Sequence, residues 1–357
     1  MAASPAASQS KTGGASASAS LKATRAPNLV GGGEIVLAPS AHAAFNKAAH
    51  YFGLTLRPVP PRAPGGALHG PDVARALTRR TVLVVASAVS FPHGVLDDVA
   101  GVAAAAAARG VPCHVDACLG GFVLPFVEDA GRPPLPAWDF RVPGVTSMSV
   151  DLHKYGQSPK GASVVLFRGA ALRKAAFVAT TDWPGGLYVS PSLAGSRSAS
   201  VVAASWAALV YNGRAGLAAA ARGVLREASK FEEGIKSIPE LAVVGAPASS
   251  VVAFGPSPAG RAAGLNIYVL NDALSAQGWH LNALQRPPAL HMCFTAQHTG
   301  GGADALLADL RAAVGKAVGG AGKDEGTAPI YGQAGTTPDR GIIRDFLETY
   351  QDVLLTG

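Results

Sequence analysis

The chain has 357 residues, 48% of them hydrophobic and 15% charged, with a formal net charge of +7. That composition is globular, is long enough for two domains, and excludes a wholly disordered protein. No run reaches the ~18–20 apolar residues that a spanning helix needs, and no basic block interleaved with aromatics supports nucleic-acid binding. The cysteines Cys113, Cys118 and Cys293 show no zinc spacing and fit a reducing compartment.

Residues 1–30 are rich in Ala, Ser, Gly and Pro, and no acid precedes Glu34. A disordered tail is the expectation. An organelle transit peptide stays open as the alternative: the Ser-rich, acid-free composition fits one, though a clear Arg-rich amphipathic face is lacking. From Glu34 onward strand-like and helix-like runs alternate. Strands are expected over 34–38, 54–59, 81–86, 111–115, 145–150 and 162–167. Helices are expected over 40–52, with Ser40 as N-cap, and over 71–77 and 95–108. Helix-like segments follow at 170–177 and 201–210. Beyond residue 216 come a long helix to 235, short strands at 241–244, 251–254 and 289–294, and helices at 265–276 and 303–318. This alternation argues an α/β fold, with a large domain built on a mainly parallel sheet over 31–215 and a smaller C-terminal α+β domain over 216–357.

Two strand ends carry chemistry, and ligands of such sheets sit at the carboxyl ends of strands. The run ending at Val150 stops at Asp151, His153 and Lys154, and a turn with Gly156, Pro159 and Lys160 follows. A Lys at the end of a buried strand can be kept partly unprotonated, as Schiff-base chemistry requires. The strand before it ends in Asp116, then Cys118, Gly120 and Gly121. A carboxylate there suits a protonated pyridine nitrogen and keeps pyridoxal phosphate an electron sink. His42 suits stacking on a cofactor ring. His42, Asp116 and Lys154, in that chain order on separate βα units, make one coherent pyridoxal phosphate site. The remaining histidines show no pairing that suggests a metal.

These stretches, with others, resemble the sphingosine-1-phosphate lyase family. The matching blocks are 40–53 (SAHAAFNKAAHYFG), 91–98 (FPHGVLDD), 113–126 (CHVDACLGGFVLPF), 138–147 (WDFRVPGVTS), 151–161 (DLHKYGQSPKG), 181–197 (TDWPGGLYVSPSLAGSR), 206–216 (WAALVYNGRAG), 278–293 (GWHLNALQRPPALHMC) and 330–340 (IYGQAGTTPDR). The resemblance implies the fold-type-I pyridoxal-phosphate-dependent transferase fold, shared with the amino-acid decarboxylases. It implies that Lys154 binds the cofactor aldehyde, Asp116 pairs with the pyridinium and His42 stacks on the ring. By the same likeness His153 touches the cofactor phosphate or only packs, and Lys160 serves the substrate phosphate or catalysis. The loop with Gly195 and Ser196 resembles one that reaches the phosphate region of a neighbouring subunit, in a homodimer with a shared active site. Ser90 lies near the cofactor or in a plain turn.

The chain also departs from the family pattern. Gln157 stands where the family has a Tyr, and Ser198-Ala199 stand where it has Pro-Gly. The family carries a membrane anchor and an upstream Gly-Gly-Thr-Glu-Ser-like phosphate loop. Residues 12–25 look like a degraded form of that loop without its Glu, so the chain reads as N-terminally truncated. The implied activity is cleavage of sphingoid base 1-phosphates to a long-chain aldehyde and phosphoethanolamine, in sphingolipid breakdown. The implied place is the cytosolic face of the endoplasmic reticulum or, without the anchor, the cytoplasm. Two rivals stay open: an amino-acid decarboxylase on the same cofactor frame, and a catalytically impaired fragment or paralogue.

Overall fold

A computed structural model describes residues 32–318 and 337–356. The N-terminal tail, the loop-like stretch at 12–25 and most of the block at 330–340 lie outside the described residues. Strands β1 (Glu34–Leu37), β2 (Thr55–Pro58), β3 (Thr81–Ser87), β4 (Cys113–Asp116), β5 (Val145–Asp151) and β6 (Ser163–Phe167) form one sheet in the order β2-β1-β3-β4-β5-β6. The first five are mutually parallel, and β6 runs antiparallel to β5. Helices α1 (Ala44–Phe52), α2 (Gly70–Ala76) and α3 (Val99–Ala107) link the successive parallel strands β1 to β4. The β-branched run of β3 suits a strand covered on both faces, and Val84, Val85 and Ala86 are buried. Helix α3 turns Val99, Val102, Ala103 and Ala106 into the same core.

Two helix starts differ from expectation, the first because of local turns and the second because distant residues pin the chain. Helix α1 begins at Ala44, and Ser40 is not its cap. Ser40 lies in a turn closed by the Ala41 amide on the Ala38 carbonyl at 3.0 Å, and the His42 Nδ1 accepts from the Ala44 amide at 3.1 Å. Helix α3 begins at Val99, capped by Asp98, whose carboxylate accepts from the Gly101 amide at 3.0 Å. The four residues before it are not helical: Val95 bridges Pro247 and Asp97 is buried.

The Asp97 carboxylate accepts from the amides of Leu68 and Ser87, each at 2.7 Å. Burial pushes its pKa up to about 6; the two amide bonds pull the other way, and Asp98 adds to the rise. That lies above the ordinary 3.8, so the folded chain keeps this proton longer than the unfolded chain. The stability it brings is full below the unfolded value and is lost as pH rises through the folded one. Asp97→Asn cannot ionise and is expected to remove that loss, roughly 3 kcal/mol, from urea melts compared at acid and neutral pH. A difference between wild type and Asp97→Asn that is independent of pH contradicts this. Asp97→Ala strands both amides and is expected to cost about 2–4 kcal/mol.

After β6 the chain runs through α4 (Ala170–Ala175) into a hairpin of β7 (Val178–Thr180) and β8 (Tyr188–Ser190). The helices expected at 201–210 and 216–235 are one element, α5 (Ala199–Lys236), broken at Gly213 (φ 55°, ψ −173°). Then β9 (Leu241–Val243), β10 (Val251–Pro256), α6 (Pro258–Ala262), α7 (Ile267–Ser275), β11 (Asn282–Leu284), β12 (Ala289–Cys293) and α8 (Gly302–Ala317) follow. The strands form an antiparallel sheet in the order β11-β12-β10-β9. Its core is set by Phe231, Phe254 and Phe294, all fully buried, with the Phe231 ring 5.5 Å from Phe254 and 5.4 Å from Phe294. Helix α9 (Arg340–Thr356), unexpected from the sequence, leaves Ile342, Phe346, Leu347 and Tyr350 exposed. Among the described residues no helix is long and apolar enough to cross a membrane.

Candidate active site

Strands β4 and β5 are parallel neighbours, with Asp116 opposite Ser149. Their carboxyl ends therefore bring the turns after Asp116 and after Asp151 side by side. Asp116 is 7% exposed. Its Oδ1 accepts from the Ser149 hydroxyl at 3.0 Å and from the Cys118 amide at 3.1 Å. The Cys118 side chain also hydrogen-bonds the Asp116 carboxylate. The Ser149 hydroxyl gives its proton to Asp116, so it accepts from His114 Nε2 at 3.2 Å. His114 Nδ1 then accepts from the Ser147 hydroxyl at 2.9 Å. Burial lowers the His114 pKa, and the Asp116 charge pulls it back.

Cys118 joins the two strand ends. Its Sγ lies 3.1 Å from Lys154 Nζ, which in turn lies 3.0 Å from Asp151 Oδ2. Asp151 Oδ1 takes the Ser163 hydroxyl at 2.5 Å. Burial pushes the Lys154 pKa down, but Cys118 and Asp151 more than offset it, and the value stands above 10.5. Burial first, and Asp116 second, push the Cys118 thiol up to about 12. Cys118 is thus a neutral thiol at pH 7, and Asp151 is the charge partner of Lys154. Against the expected partly unprotonated lysine, Asp151 beside the free side chain favours the ammonium. It becomes a nucleophile only by giving up a proton.

Local sequence explains why these turns fit. A Cβ on Gly120 would sit 2.2 Å from the Ala88 carbonyl oxygen, and one on Gly156 would sit 2.6 Å from that of Leu152. Only glycine lets either turn approach so closely. His153 Nδ1 lies 2.7 Å from the Ala162 carbonyl. A carbonyl only accepts, so Nδ1 carries a proton; Nε2 faces Asp151 at 3.6 Å.

His42 is exposed at the carboxyl end of β1. Its ring meets Phe91 edge-on at 6.3 Å, and Phe91 meets His291 at 4.8 Å. A cavity of about 550 Å³ opens beside it, lined by Ser40, Phe91, His93, Gln285 and Arg286 among others. The Ser90 hydroxyl accepts from the Val95 amide at 3.3 Å, a turn contact. Lys160, Gly195 and Ser196 are exposed, on the turn after β5 and the loop after β8. No contact among the described residues joins them to Asp116 or Lys154. A second cleft, about 720 Å³, lies by β9, β10 and α7, lined by Val243, Pro256 and Tyr268 among others, and holds no candidate residue.

Asp151, Cys118 and Ser149 were not foreseen as site residues. The spacing of Asp151 and Lys154 at a strand end was a usable signal. Cys118 and Ser149 required the β4–β5 register. The donor set fits pyridoxal phosphate: one amine, one buried carboxylate and one exposed imidazole, all at carboxyl ends of parallel strands. The expected phosphate loop lies outside the described residues.

The family described as pyridoxal-dependent decarboxylase conserved domain matches residues 17–255. The chain is 45% identical over 323 residues to a sphingosine-1-phosphate lyase of Arabidopsis thaliana, covering 89% of this chain and 57% of that protein. It is 36% identical over 342 residues to a probable sphingosine-1-phosphate lyase of Legionella pneumophila, covering 90% of this chain and 54% of that protein. The chain thus spans little more than half the length of these relatives. A solved sphingosine-1-phosphate lyase of Burkholderia pseudomallei superposes with a TM-score of 0.76 at 41% identity, covering 80% of this chain and 64% of that one. A glutamate decarboxylase of Lactobacillus brevis superposes at 0.69 with 20% identity, over 81% of this chain and 67% of that one, a likeness of fold alone. The parallel sheet, the Asp116–Cys118–Lys154 junction and these matches lead to one conclusion: the chain belongs to the pyridoxal-dependent decarboxylase family.

Proposed function

We propose that this chain is a pyridoxal-phosphate-dependent aldehyde-lyase that cleaves sphingoid base 1-phosphates to a long-chain aldehyde and phosphoethanolamine. The observation that supports it best is Lys154 held beside Asp116 through Cys118, in a chain 45% identical to a sphingosine-1-phosphate lyase. When bound, the cofactor supplies an electron sink for the pair released as the carbon–carbon bond breaks. Lys154 is the amine that takes the cofactor aldehyde, and Asp151 holds its proton when it is free. Asp116 would pair with the pyridine nitrogen, its carboxylate oriented by the Ser149 hydroxyl and the Cys118 amide. His42 would stack on the cofactor ring.

His153 and Lys160 are read as phosphate-side groups, of the cofactor and the substrate respectively. The loop with Gly195 and Ser196 serves a neighbouring subunit. The exposed apolar side chains Leu187, Leu193, Trp206 and Tyr211 support a homodimer with a shared site. The division into two domains near residue 215 is read beside the break at Gly213, and the cytosolic face of the endoplasmic reticulum or the cytoplasm is the proposed place. Incubation of the purified chain with pyridoxal phosphate and sphinganine 1-phosphate is expected to yield aldehyde and phosphoethanolamine. Carbon dioxide from an amino acid, with no aldehyde, would put the decarboxylase reading in its place. Gln157, at φ 59° in the turn after Lys154, favours the impaired-paralogue reading; under it neither product forms.

A further inference from the structure

Next to Lys154 stands a tyrosine that the proposed chemistry does not use. The Tyr155 ring is partly buried and packs against both hydrophobic cores, the one around the parallel sheet and the one around the antiparallel sheet. Its hydroxyl lies 2.7 Å from the Phe294 carbonyl, 2.6 Å from Ser250 Oγ and 3.3 Å from Cys293 Sγ. A carbonyl can only accept, so the phenol proton goes to Phe294, and the phenol oxygen accepts from Ser250 and from the Cys293 thiol. These partners lie at one end of β10 and β12, where Val251 pairs with Cys293 and the Phe294 amide meets the Ser250 carbonyl at 2.9 Å. Phe294 is fully buried and packs against Phe231 with the rings tilted by 60°.

Lys154 is the preceding residue in a turn with no slack. The Lys154 amide bonds the Asp151 carbonyl at 3.3 Å, the Gln157 amide bonds the Lys154 carbonyl at 3.2 Å, and Gly156 leaves no room for a Cβ. Neither end of this turn can slide without moving the Lys154 Cα. We propose that Tyr155 is a positioning residue. Its hydroxyl anchors the Lys154 turn to the antiparallel sheet and so holds Nζ between Asp151 and Cys118. The placement of the cofactor amine is then set by a contact from the second core and not by β5 alone. This rests on the reading of Lys154 as the cofactor amine, but its main test does not.

The test compares wild type, Tyr155→Phe and Ser250→Ala as cofactor-free protein. The rate of Lys154 acylation by acetic anhydride is followed by peptide mass spectrometry across pH. Tyr155→Phe is expected to move the Lys154 midpoint down by roughly 0.5–1 unit, as Nζ loses its fixed place against Asp151. Ser250→Ala keeps the bond to Phe294, so the expected shift is smaller and in the same direction. With pyridoxal phosphate and substrate, Tyr155→Phe is expected to lower kcat about 10-fold with little change in KM, the pattern of a misplaced group. A purely structural tyrosine would lower the melting temperature of both variants and leave the acylation midpoint at the wild-type value, which overturns the proposal. If Tyr155→Phe does not fold, an unmoved midpoint in Ser250→Ala overturns it alone. Absence of aldehyde from the wild type bears on the proposed reaction and leaves the acylation result standing.

Discussion

Lys154→Ala is expected to lower aldehyde release by at least ~10³-fold, because one side chain supplies both the amine for the cofactor and a proton carrier. The fold should survive. The ion pair lost is to Asp151, with the side chains 27% and 12% exposed, so the cost is expected to be about 1–3 kcal/mol. Asp151 also keeps the Ser163 hydroxyl. Lys154→Arg separates charge from nucleophilicity: it preserves the cation beside Asp151 but cannot give up its proton. It is therefore expected to be as inactive as the alanine variant and as stable as wild type. Recovery of more than a small fraction of activity in Lys154→Arg would show that the charge, not the amine, matters at this position.

The second large effect is expected at Asp116. Asn at this position still offers an oxygen to the Ser149 hydroxyl and the Cys118 amide, so both contacts at 3.0 and 3.1 Å survive. What disappears is the negative charge proposed to pair with the pyridine nitrogen. A loss of roughly 10²–10³-fold in kcat is expected, the range seen when a preorganised electrostatic partner is removed. An independent signature is available at the neighbouring thiol. After burial, Asp116 is the next cause of the high Cys118 pKa, so Asp116→Asn should shift the pH midpoint of Cys118 alkylation downward. An unchanged kcat together with an unchanged Cys118 midpoint would remove Asp116 from the site.

Much of this was legible in residue order. β-Branched runs such as 81–86 and 145–150 stand out against Ala-rich helical stretches, and their alternation fixes a parallel α/β sheet. An acid or Lys directly after such a run falls at the carboxyl edge, where β4 and β5 present Asp116 and Lys154. What sequence could not give was register and long-range pinning. Cys118 meets Lys154 only because β4 and β5 pair with Asp116 opposite Ser149. The start of α3 is delayed to Val99 because Asp97 reaches back to Leu68 and Val95 reaches forward to Pro247. Short strands such as β7, β8 and β11, of three residues each, are too brief for alternation to register. The charge state of Lys154 depends on the fold in the same way. Strand-end burial alone favours the neutral amine, and only the folded turn shows Asp151 within 3.0 Å of it.

The most direct measurement is borohydride trapping of the chain after incubation with pyridoxal phosphate, followed by peptide mass mapping. The expected result is one pyridoxyl-modified residue, Lys154, with the label lost in Lys154→Ala. Label spread over exposed amines such as Lys160 and Lys230, with Lys154 unmodified, would contradict the assignment of this turn as the cofactor site.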